Sequence, residues 1–145
     1  MLKSINIIYF MKHTPNKTTM LYAQYVLLWC YFNYGSSIWN STGVLNLKVK
    51  SNLNHYGHYY YEIDKKSEIY VNIKFHKSLL ELTDTLIHEY THHMQPMEYK
   101  YKYYLDNGYN LENHPFEVEA RRVARRDASA CKKWVLNRIK HENLT

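Results

Sequence analysis

The hydrophobic pattern of the chain changes its period about halfway along, and this change limits the folds that are open to it. Apolar and polar side chains alternate over residues 45–50 and again over residues 68–75, with the aromatic-rich residues 56–63 between them. Alternation with a period of two is typical of half-buried strands. From Ser78 onward, apolar residues recur every three or four positions, which is typical of helices that face a core. We therefore expect an α+β fold in which an antiparallel meander of three strands precedes the main helices.

The size and composition of the chain fit one folded domain. Its 145 residues and 17.6 kDa are the size of a single domain, so we treat residues 1–145 as one unit. Hydrophobic residues make up 46% and charged residues 22%, which excludes disorder as the default. Only four glycines and three prolines are present, and this scarcity argues against a β-sandwich with many turns.

The most apolar segment lies in the first third of the chain. Residues 18–34 predict a first helix, which Gly35 ends. The apolar centre of this segment, residues 20–32, is about 13 residues long and therefore shorter than the ~20 that a membrane helix needs. Residues 1–10 resemble a signal peptide, but their apolar run is short and no small-x-small cleavage site follows it. With two cysteines, which we expect to be reduced and buried, the sequence favours a cytoplasmic protein outside membranes.

The second half of the chain predicts two further helices. Ser78 and Glu81 have the spacing of a capping box, which marks the start of a helix, and Pro96 ends that helix. Pro115 is placed at the first turn of a last helix, which continues to about residue 139. The tyrosine- and lysine-rich residues 97–113 between them are expected to form a loop.

A metal-binding motif lies in the middle of the first of these two helices. His88, Glu89 and His92 form the pattern H-E-x-x-H. Histidines four residues apart lie on one helical face, so both imidazoles can reach a single metal ion. The carboxylate of Glu89 can take a proton from a metal-activated water and return it to the leaving amine. This pattern predicts zinc-dependent hydrolysis of peptide bonds, with Zn²⁺ as the cofactor.

A third protein ligand is expected, because catalytic zinc sites usually have three. Glu117 and Glu119 of the last helix are the candidates. Helical steps from Glu117 lead along a stripe of small apolar side chains, whereas Glu119 aligns with arginines on a charged side. A glutamate at the head of an apolar stripe is costly to bury unless it binds something. We therefore expect Glu117 to be the third ligand, with Glu119 as the alternative. The stripe consists of Ala120, Ala124, Ala128, Cys131 and Val135.

These motifs resemble those of a known class of enzymes. The H-E-x-x-H of residues 88–92, followed by Glu117-x-x-Ala120, resembles the gluzincin zinc metallopeptidases, which include thermolysin-like and ImmA/IrrE-like proteins. The resemblance covers about residues 68–128. It implies a minimal zincin fold with an N-terminal helix, a small, mostly antiparallel three-stranded sheet, an active-site helix and a C-terminal ligand helix. It also implies that residues 68–75 form a strand at the lip of the cleft, along which a peptide or protein substrate lies.

One position departs from the pattern of that class. Arg121 occupies the place where the family usually has Asp or Asn, a residue that supports a zinc-binding histidine. Asp127 and Asp84 are candidates for the same support. The departure keeps a second hypothesis open, namely a regulatory or binding protein of zincin fold with little or no hydrolysis.

Peptide hydrolysis also needs a hydrogen-bond donor to the developing oxyanion, and Tyr or His usually provides it. His93 is adjacent to His92 on the helix and points about 100° away, so we expect it to pack rather than to donate. The candidates that we retain between the two ligand helices are Tyr104, Tyr109 and His114, from a set that also holds Tyr101 and Tyr103.

Two other patterns support weaker hypotheses. His55 and His58 suggest a second metal site, but strand alternation would place them on opposite faces. Arginines cluster on the last helix of a chain whose net charge is +6, which is compatible with a nucleic-acid-binding protein, although a solvated outer face is the simpler interpretation. The cluster consists of Arg121, Arg122, Arg125 and Arg126.

Overall fold

The computed structural model describes residues 8–11, 17–39, 45–50, 55–61 and 67–143, which form four α-helices and a four-stranded sheet. The strands are β1 (Ile8–Met11), β2 (Leu45–Lys50), β3 (Gly57–Tyr60) and β4 (Ser67–Asn72). The helices are α1 (Lys17–Tyr34), α2 (Leu79–Met94), α3 (Met97–Asp106) and α4 (Pro115–Asn143), and a short 3₁₀ turn occupies Ile73–Phe75. This mixture of helices and sheet confirms the α+β class.

The order of the strands differs from the prediction. The sheet runs β1-β2-β4-β3, with β1 and β4 both parallel to β2 and with β3 antiparallel to β4. The predicted three-stranded, mostly antiparallel meander is therefore wrong, because β4 lies between β2 and β3. Side-chain alternation reports which face a strand buries, but it does not report which neighbour the strand pairs with. The turn predicted at residues 64–67 lies, except for its last residue, outside the described residues.

Alternation did identify the buried face of the sheet correctly. Leu47 of β2 and Ile69 and Val71 of β4 are fully buried in the core that the helices share. On the other face, Lys48 and Glu68 pair across β2 and β4 with an N–O distance of 3.0 Å. One face of the sheet is thus available for α2, which packs against β3 and β4.

Helix α1 ends where the sequence predicted. Gly35 follows its last residue with φ of +81°, a left-handed conformation that only glycine adopts readily, and its N–H bonds to the carbonyl of Tyr31 at 2.9 Å. Cys30 of α1 and Cys131 of α4 are both buried and free, as expected. Among the residues that the structure describes, no helix combines the length and the apolar character that crossing a bilayer requires.

Helix α2 carries the predicted cap. The hydroxyl of Ser78 accepts a hydrogen bond from the backbone N–H of Glu81 at 3.1 Å, and the carboxylate of Glu81 accepts one from Lys77 N–H at 3.0 Å. The helix ends at Met94, two residues before Pro96. Local signals were therefore sufficient to place this helix along the chain.

Helix α3 was not predicted. The first ten of residues 97–113, expected to form a loop, are helical, and the remainder turn through Gly108 with φ of +91°. Pro96 occupies the N-cap without a side-chain hydrogen bond, so the helix has no capping signal. Its half-buried residues Met97, Tyr101 and Tyr104 have helical spacing, but tyrosines also occupy other positions of the segment and obscure this period in the sequence.

Helix α4 packs its alanine stripe against α2. Ala120, Ala124 and Ala128 are buried, and such small side chains let two helices approach closely. The opposite side of α4 is exposed and carries Arg122, Arg125 and Arg126, as a solvated outer face would. The close approach brings the first turn of α4, and with it Glu117, next to the histidines of α2.

Candidate metal centre

The two motif histidines lie side by side on α2. The Nε2 atoms of His88 and His92 are 3.1 Å apart, and their ring centroids are separated by 4.8 Å. This arrangement follows from helical geometry, because residues four apart are stacked one turn above each other. His92 is buried and His88 is half-buried, so the pair is open on one side.

Glu117 completes a cluster of three possible ligands. Its Oε2 lies 3.0 Å from Nε2 of His88, and its Oε1 lies 3.2 Å from Nε2 of His92. Zinc with ligands at 2.0–2.1 Å in tetrahedral geometry has ligand–ligand distances of about 3.3 Å. The cluster could therefore hold a metal ion with little rearrangement. The structure brings Glu117, and not Glu119, together with the two histidines, and its role as the third ligand stays a prediction.

Glu119 is instead exposed, at the edge of the cluster. Its Oε1 lies 3.4 Å from Nε2 of Gln95, a residue that contacts His92. Glu119 therefore lies next to the cluster but does not belong to it. The two glutamates differ because a step of two residues on a helix turns a side chain by about 200°.

The charges of the cluster favour an ionised carboxylate. Burial acts to raise the pKa of Glu117, but hydrogen bonds with His88 and His92 outweigh it and hold that pKa well below its usual range. Burial acts in turn to lower the pKa of His92, yet Glu117 reverses the effect and raises it. Without a cation, the two groups stabilise each other as a charge pair. A bound divalent cation would replace the proton on the histidine.

Glu89 lies in the cleft beside this cluster. It is 7% exposed, and burial raises the pKa of its carboxyl, while His92 and His88 act in the opposite direction. The backbone of Tyr59 in β3 also hydrogen-bonds to the carboxylate and lowers its pKa. Glu89 is therefore a buried carboxyl in the wall of the same cleft as the three possible ligands.

Tyr101 of α3 contacts the carboxylate of Glu117. Its hydroxyl donates to Oε1 of Glu117 at 2.8 Å. Its ring stacks on His114, with centroids 4.0 Å apart and an interplanar angle of 26°. The buried His114 donates from Nε2 to the carbonyl of Tyr101 at 3.0 Å and accepts from Phe116 N–H at Nδ1. Both nitrogens of His114 are thereby engaged by the backbone.

The retained oxyanion donors are placed differently from Tyr101. Tyr104 packs edge-on against His114 and Phe116, and Tyr109 is 41% exposed with its ring against Tyr104. Among the described residues that line the cleft, Tyr101 is present and Tyr104, Tyr109 and His114 are not. The sequence places Tyr101, Tyr104, Tyr109 and His114 alike between α2 and α4. They differ in their position on or after α3, a helix that was not predicted. Spacing along α3 is the signal that could have singled out Tyr101.

The cleft itself lies between β3, α2 and the segments that flank α3. Its volume is about 1020 Å³, and the metal cluster and Glu89 lie in its wall. The lip is formed by β3 at the end of the sheet order, whereas the strand predicted there, residues 68–75, includes β4 in the sheet interior. The prediction that residues 68–75 form the lip of the cleft is therefore wrong. As for the predicted meander, the alternation of side chains does not report which strand lies at the edge of the sheet. The other described lining residues are His55, Gly57, His58, Tyr59, Tyr60, Tyr61, Met97, Glu98, Tyr101 and Leu111.

The backbone of β3 is oriented toward the cleft at alternate positions. The carbonyl of Tyr56 accepts from Asn72 N–H at 2.9 Å, and His58 pairs with Tyr70 in the same register. In an antiparallel ladder the intervening residues direct their N–H and C=O groups away from the partner strand. Gly57 and Tyr59 therefore present backbone groups at the outer edge of the described sheet.

Gly57 allows β3 to lie close to α2. A Cβ atom at this position would be 2.6 Å from Cγ2 of Thr85, 3.1 Å from the carbonyl of Tyr70 and 3.3 Å from Cγ of Glu89. Contacts below 3.0 Å require something to shift, so the position has no room for a side chain. The sequence alone did not identify this glycine as part of the site.

His55 and His58 line the cleft together. Their ring centroids are 5.6 Å apart, so the prediction that they occupy opposite faces is wrong. The reason is local: β3 begins at Gly57, and His55 lies in the bend before it, where strand alternation does not apply. Burial, followed by the charges of His55 and His92, lowers the pKa of His58.

Arg121 and Asp127 contact groups other than the motif histidines, whereas Asp84 lies near His88 and its supporting role stays a prediction. The guanidinium of Arg121 donates to the carbonyls of Leu111, at 3.2 Å, and Glu112, and so ties α4 to the loop after α3. Asp127 accepts hydrogen bonds from Tyr34 and Arg126. Asp84 lines a small cavity next to His88.

Gln95 has a contact with His92 of the kind that the family resemblance assigns to an acidic or amide residue at position 121. Its Oε1 lies 2.7 Å from Nδ1 of His92, and its Nε2 donates to the carbonyl of Phe116 at 3.0 Å. The residue is 4% exposed. The sequence signal was its position three residues after His92, which places it one turn further along the same side.

Comparisons of the chain with protein families, with curated proteins and with solved structures gave no match. The function therefore has to be inferred from the site.

Proposed function

We propose that the protein is a zinc-dependent metallopeptidase of the gluzincin type with a minimal zincin fold. The observation that carries the proposal is the convergence of His88, His92 and Glu117, on two helices, to within 3.0–3.2 Å of one another. Two imidazoles and one carboxylate with an open fourth position are the donor set of many catalytic zinc sites. A structural zinc site would more often have four protein ligands.

Zinc, when bound, supplies Lewis-acid activation of water and of the substrate carbonyl. The chain supplies the proton transfers. The carboxylate of Glu89 accepts a proton from the attacking water and passes it to the nitrogen of the leaving amine. Burial raises the pKa of Glu89 above that of an exposed carboxyl, which makes its carboxylate a better proton acceptor.

Tyr101 is the described side chain best placed to assist at the oxyanion. Its hydroxyl lies in the cleft and already donates to Glu117 at 2.8 Å. A small shift toward the substrate carbonyl would let the same hydrogen stabilise the negative charge that develops there.

The outer edge of β3 supports the binding of an extended peptide. The backbone N–H and C=O of Gly57 lie at this edge and can pair with a substrate main chain, as in β-strand addition, whereas the N–H of Tyr59 bonds to Glu89. Main-chain pairing would place a scissile bond beside Glu89 without requiring a particular sequence. The aromatic residues of the lining can then accommodate the side chains of the peptide.

The test is cleavage of an unstructured peptide by the zinc-loaded protein and by Glu89→Gln. The variant keeps the size of the side chain and removes the base, so we expect normal zinc content and loss of nearly all cleavage. Equal cleavage by both proteins would contradict the role of Glu89.

Two other outcomes would favour the alternatives. Stoichiometric zinc without any cleavage dependent on Glu89 would favour a binding or regulatory protein of the same fold. An absence of zinc binding would refute the metallopeptidase proposal and favour a function of the arginine-rich face of α4, such as nucleic-acid binding.

A further inference from the structure

We infer that Gln95 is the positioning residue of the metal centre, in the place of the acidic or amide residue that is absent at Arg121. The inference rests on the proposed function, because it concerns how the zinc ligands are held. Gln95 follows the last turn of α2, is buried, and contacts His92 on one side and α4 on the other.

The orientation of the Gln95 amide follows from its partners. The carbonyl of Phe116 can only accept a hydrogen bond, so the amide nitrogen of Gln95 must face it at 3.0 Å. The same nitrogen lies 3.4 Å from a carboxylate oxygen of Glu119, which is also only an acceptor when ionised. The amide oxygen is thereby directed at Nδ1 of His92, 2.7 Å away.

This orientation selects the form of His92 that binds a metal. An amide oxygen can only accept, so Nδ1 of His92 must carry a proton. In the neutral ring, Nε2 then has the free lone pair, and it is the atom that lies within 3.2 Å of Glu117 and His88. Gln95 thus fixes both the tautomer and the angle of the ring, as the outer partner of a zinc-binding histidine does.

One side chain therefore connects the two helices that carry the ligands. The Phe116 carbonyl that Gln95 holds belongs to the residue immediately before Glu117. The position of a ligand on α4 is coupled in this way to a ligand on α2. Because Gln95 supports His92, residue 121 does not have to do so, and Arg121 instead donates hydrogen bonds to the carbonyls of Leu111 and Glu112.

Two substitutions separate the hydrogen bond from the packing. Gln95→Met retains the length of the side chain and removes both polar ends. Gln95→Glu retains an acceptor for Nδ1 of His92, and combining it with Glu119→Gln reverses the hydrogen bond between these two side chains. Zinc dissociation constants are measured by competition with a chromophoric chelator, and thermal unfolding with EDTA reports stability without metal.

We expect Gln95→Met to weaken zinc binding about 10- to 100-fold, the usual effect of losing a partner of a metal-binding histidine. The exchange variant Gln95→Glu with Glu119→Gln should recover part of that loss, because it restores the acceptor for Nδ1 of His92 but not the donor to the carbonyl of Phe116. Zinc binding by Gln95→Met that is as tight as in the wild type would overturn the inference. So would an equal loss in Gln95→Met and in the exchange variant.

A spectroscopic measurement on the wild-type protein tests the inference even if Gln95→Met does not fold. In zinc-loaded protein with ¹⁵N-labelled histidine, Nδ1 of His92 should be protonated and its hydrogen protected from exchange, and Nε2 should be the metal-bound nitrogen. A protonated Nε2, or rapid exchange at Nδ1, would overturn it. Failure of the wild type itself to bind zinc would instead refute the proposed function.

Discussion

The hydroxyl of Tyr101 in α3 donates a hydrogen bond to Oε1 of Glu117 in α4 at 2.8 Å, across the mouth of the cleft. The contact connects the unpredicted helix α3 to Glu117, the third of the possible ligands. Because the Tyr101 ring is stacked on a histidine that the backbone holds at both nitrogens, the hydroxyl has little freedom to leave the site.

Removal of this hydroxyl should affect both binding and catalysis. We expect Tyr101→Phe to weaken zinc binding about tenfold, since Glu117 loses a partner that orients it. If the same hydroxyl assists the oxyanion, kcat should fall by about 100-fold with a smaller change in KM. Zinc competition and steady-state kinetics measure the two effects. Tyr103→Phe is the matched control, because Tyr103 is 60% exposed, and a comparable loss in that variant would contradict the account.

The identity of the third ligand gives a sharper comparison. Glu117→Ala should weaken zinc binding by more than the ~10- to 100-fold expected for an outer partner, because it removes a ligand. Glu119→Ala loses only a 3.4 Å contact with Gln95 and should have a much smaller effect. The two variants differ by two positions on one helix and remove the same charge. The reverse order of their zinc affinities, measured by calorimetry, would refute the assignment.

The close approach of β3 to α2 depends on Gly57. Gly57→Ala places a methyl group 2.6 Å from Cγ2 of Thr85 and 3.3 Å from Cγ of Glu89, so β3 must move away from the active-site helix. We expect a loss of about 1–3 kcal/mol in the free energy of unfolding, typical of overpacking. Cleavage should fall as well, because the edge of β3 and the base are displaced relative to each other.

A second substitution tests the cause of that loss. Thr85→Ser removes Cγ2 and keeps a hydroxyl for the 2.9 Å contact with Nε2 of His76. In the double variant with Gly57→Ala, part of the lost stability and cleavage should return, whereas additive effects would show that the clash with Thr85 is not responsible. Chemical denaturation and peptide cleavage are the measurements.

Sequence reasoning worked where the determinants of structure are local. The cap formed by Ser78 and Glu81 and the breaks at Gly35 and Pro96 placed two helices, and helical spacing predicted which glutamate joins the histidines. These signals depend only on residues a few positions apart, so they can be recognised in the sequence without knowledge of the tertiary structure.

Prediction failed where structure depends on contacts between distant residues. Strand β4 pairs with β2 as well as with β3 and packs on α2, and the alternation of side chains encodes none of these contacts. Helix α3 lacks a side-chain cap and depends on contacts such as the stacking of Tyr101 on His114. Gln95 was overlooked because its role depends on the carbonyl of Phe116, 21 residues away.

Stability should fall in acid because of a buried histidine next to the motif. Burial lowers the pKa of His93 to about 4, and its Nδ1 lies 3.1 Å from the hydroxyl of Tyr59. In the unfolded chain a histidine has a pKa of about 6.5, so the unfolded state binds the extra proton first as the pH falls. Stability from the neutral ring is complete above pH ~6.5 and is lost down to pH ~4, by about 3 kcal/mol in all.

A variant without the titrating group isolates this effect. His93→Phe keeps a ring against Tyr90 and Tyr59, so its free energy of unfolding should depend less on pH over that window, whatever its absolute stability. Urea denaturation of both proteins in EDTA at several pH values measures the difference. Parallel pH profiles would show that His93 does not have a lowered pKa in the folded protein.

We propose that His88, His92 and Glu117 hold one zinc ion, and the number of zinc ions retained per chain reports on this site. The protein, without a histidine tag, is equilibrated with a limited excess of zinc, dialysed against a weak chelator and analysed by elemental mass spectrometry. We expect one zinc per chain in the wild type and in Glu89→Gln, and none retained in His88→Ala or His92→Ala. A wild-type protein that retains no zinc, or histidine variants that retain as much as the wild type, would refute the shared zinc site.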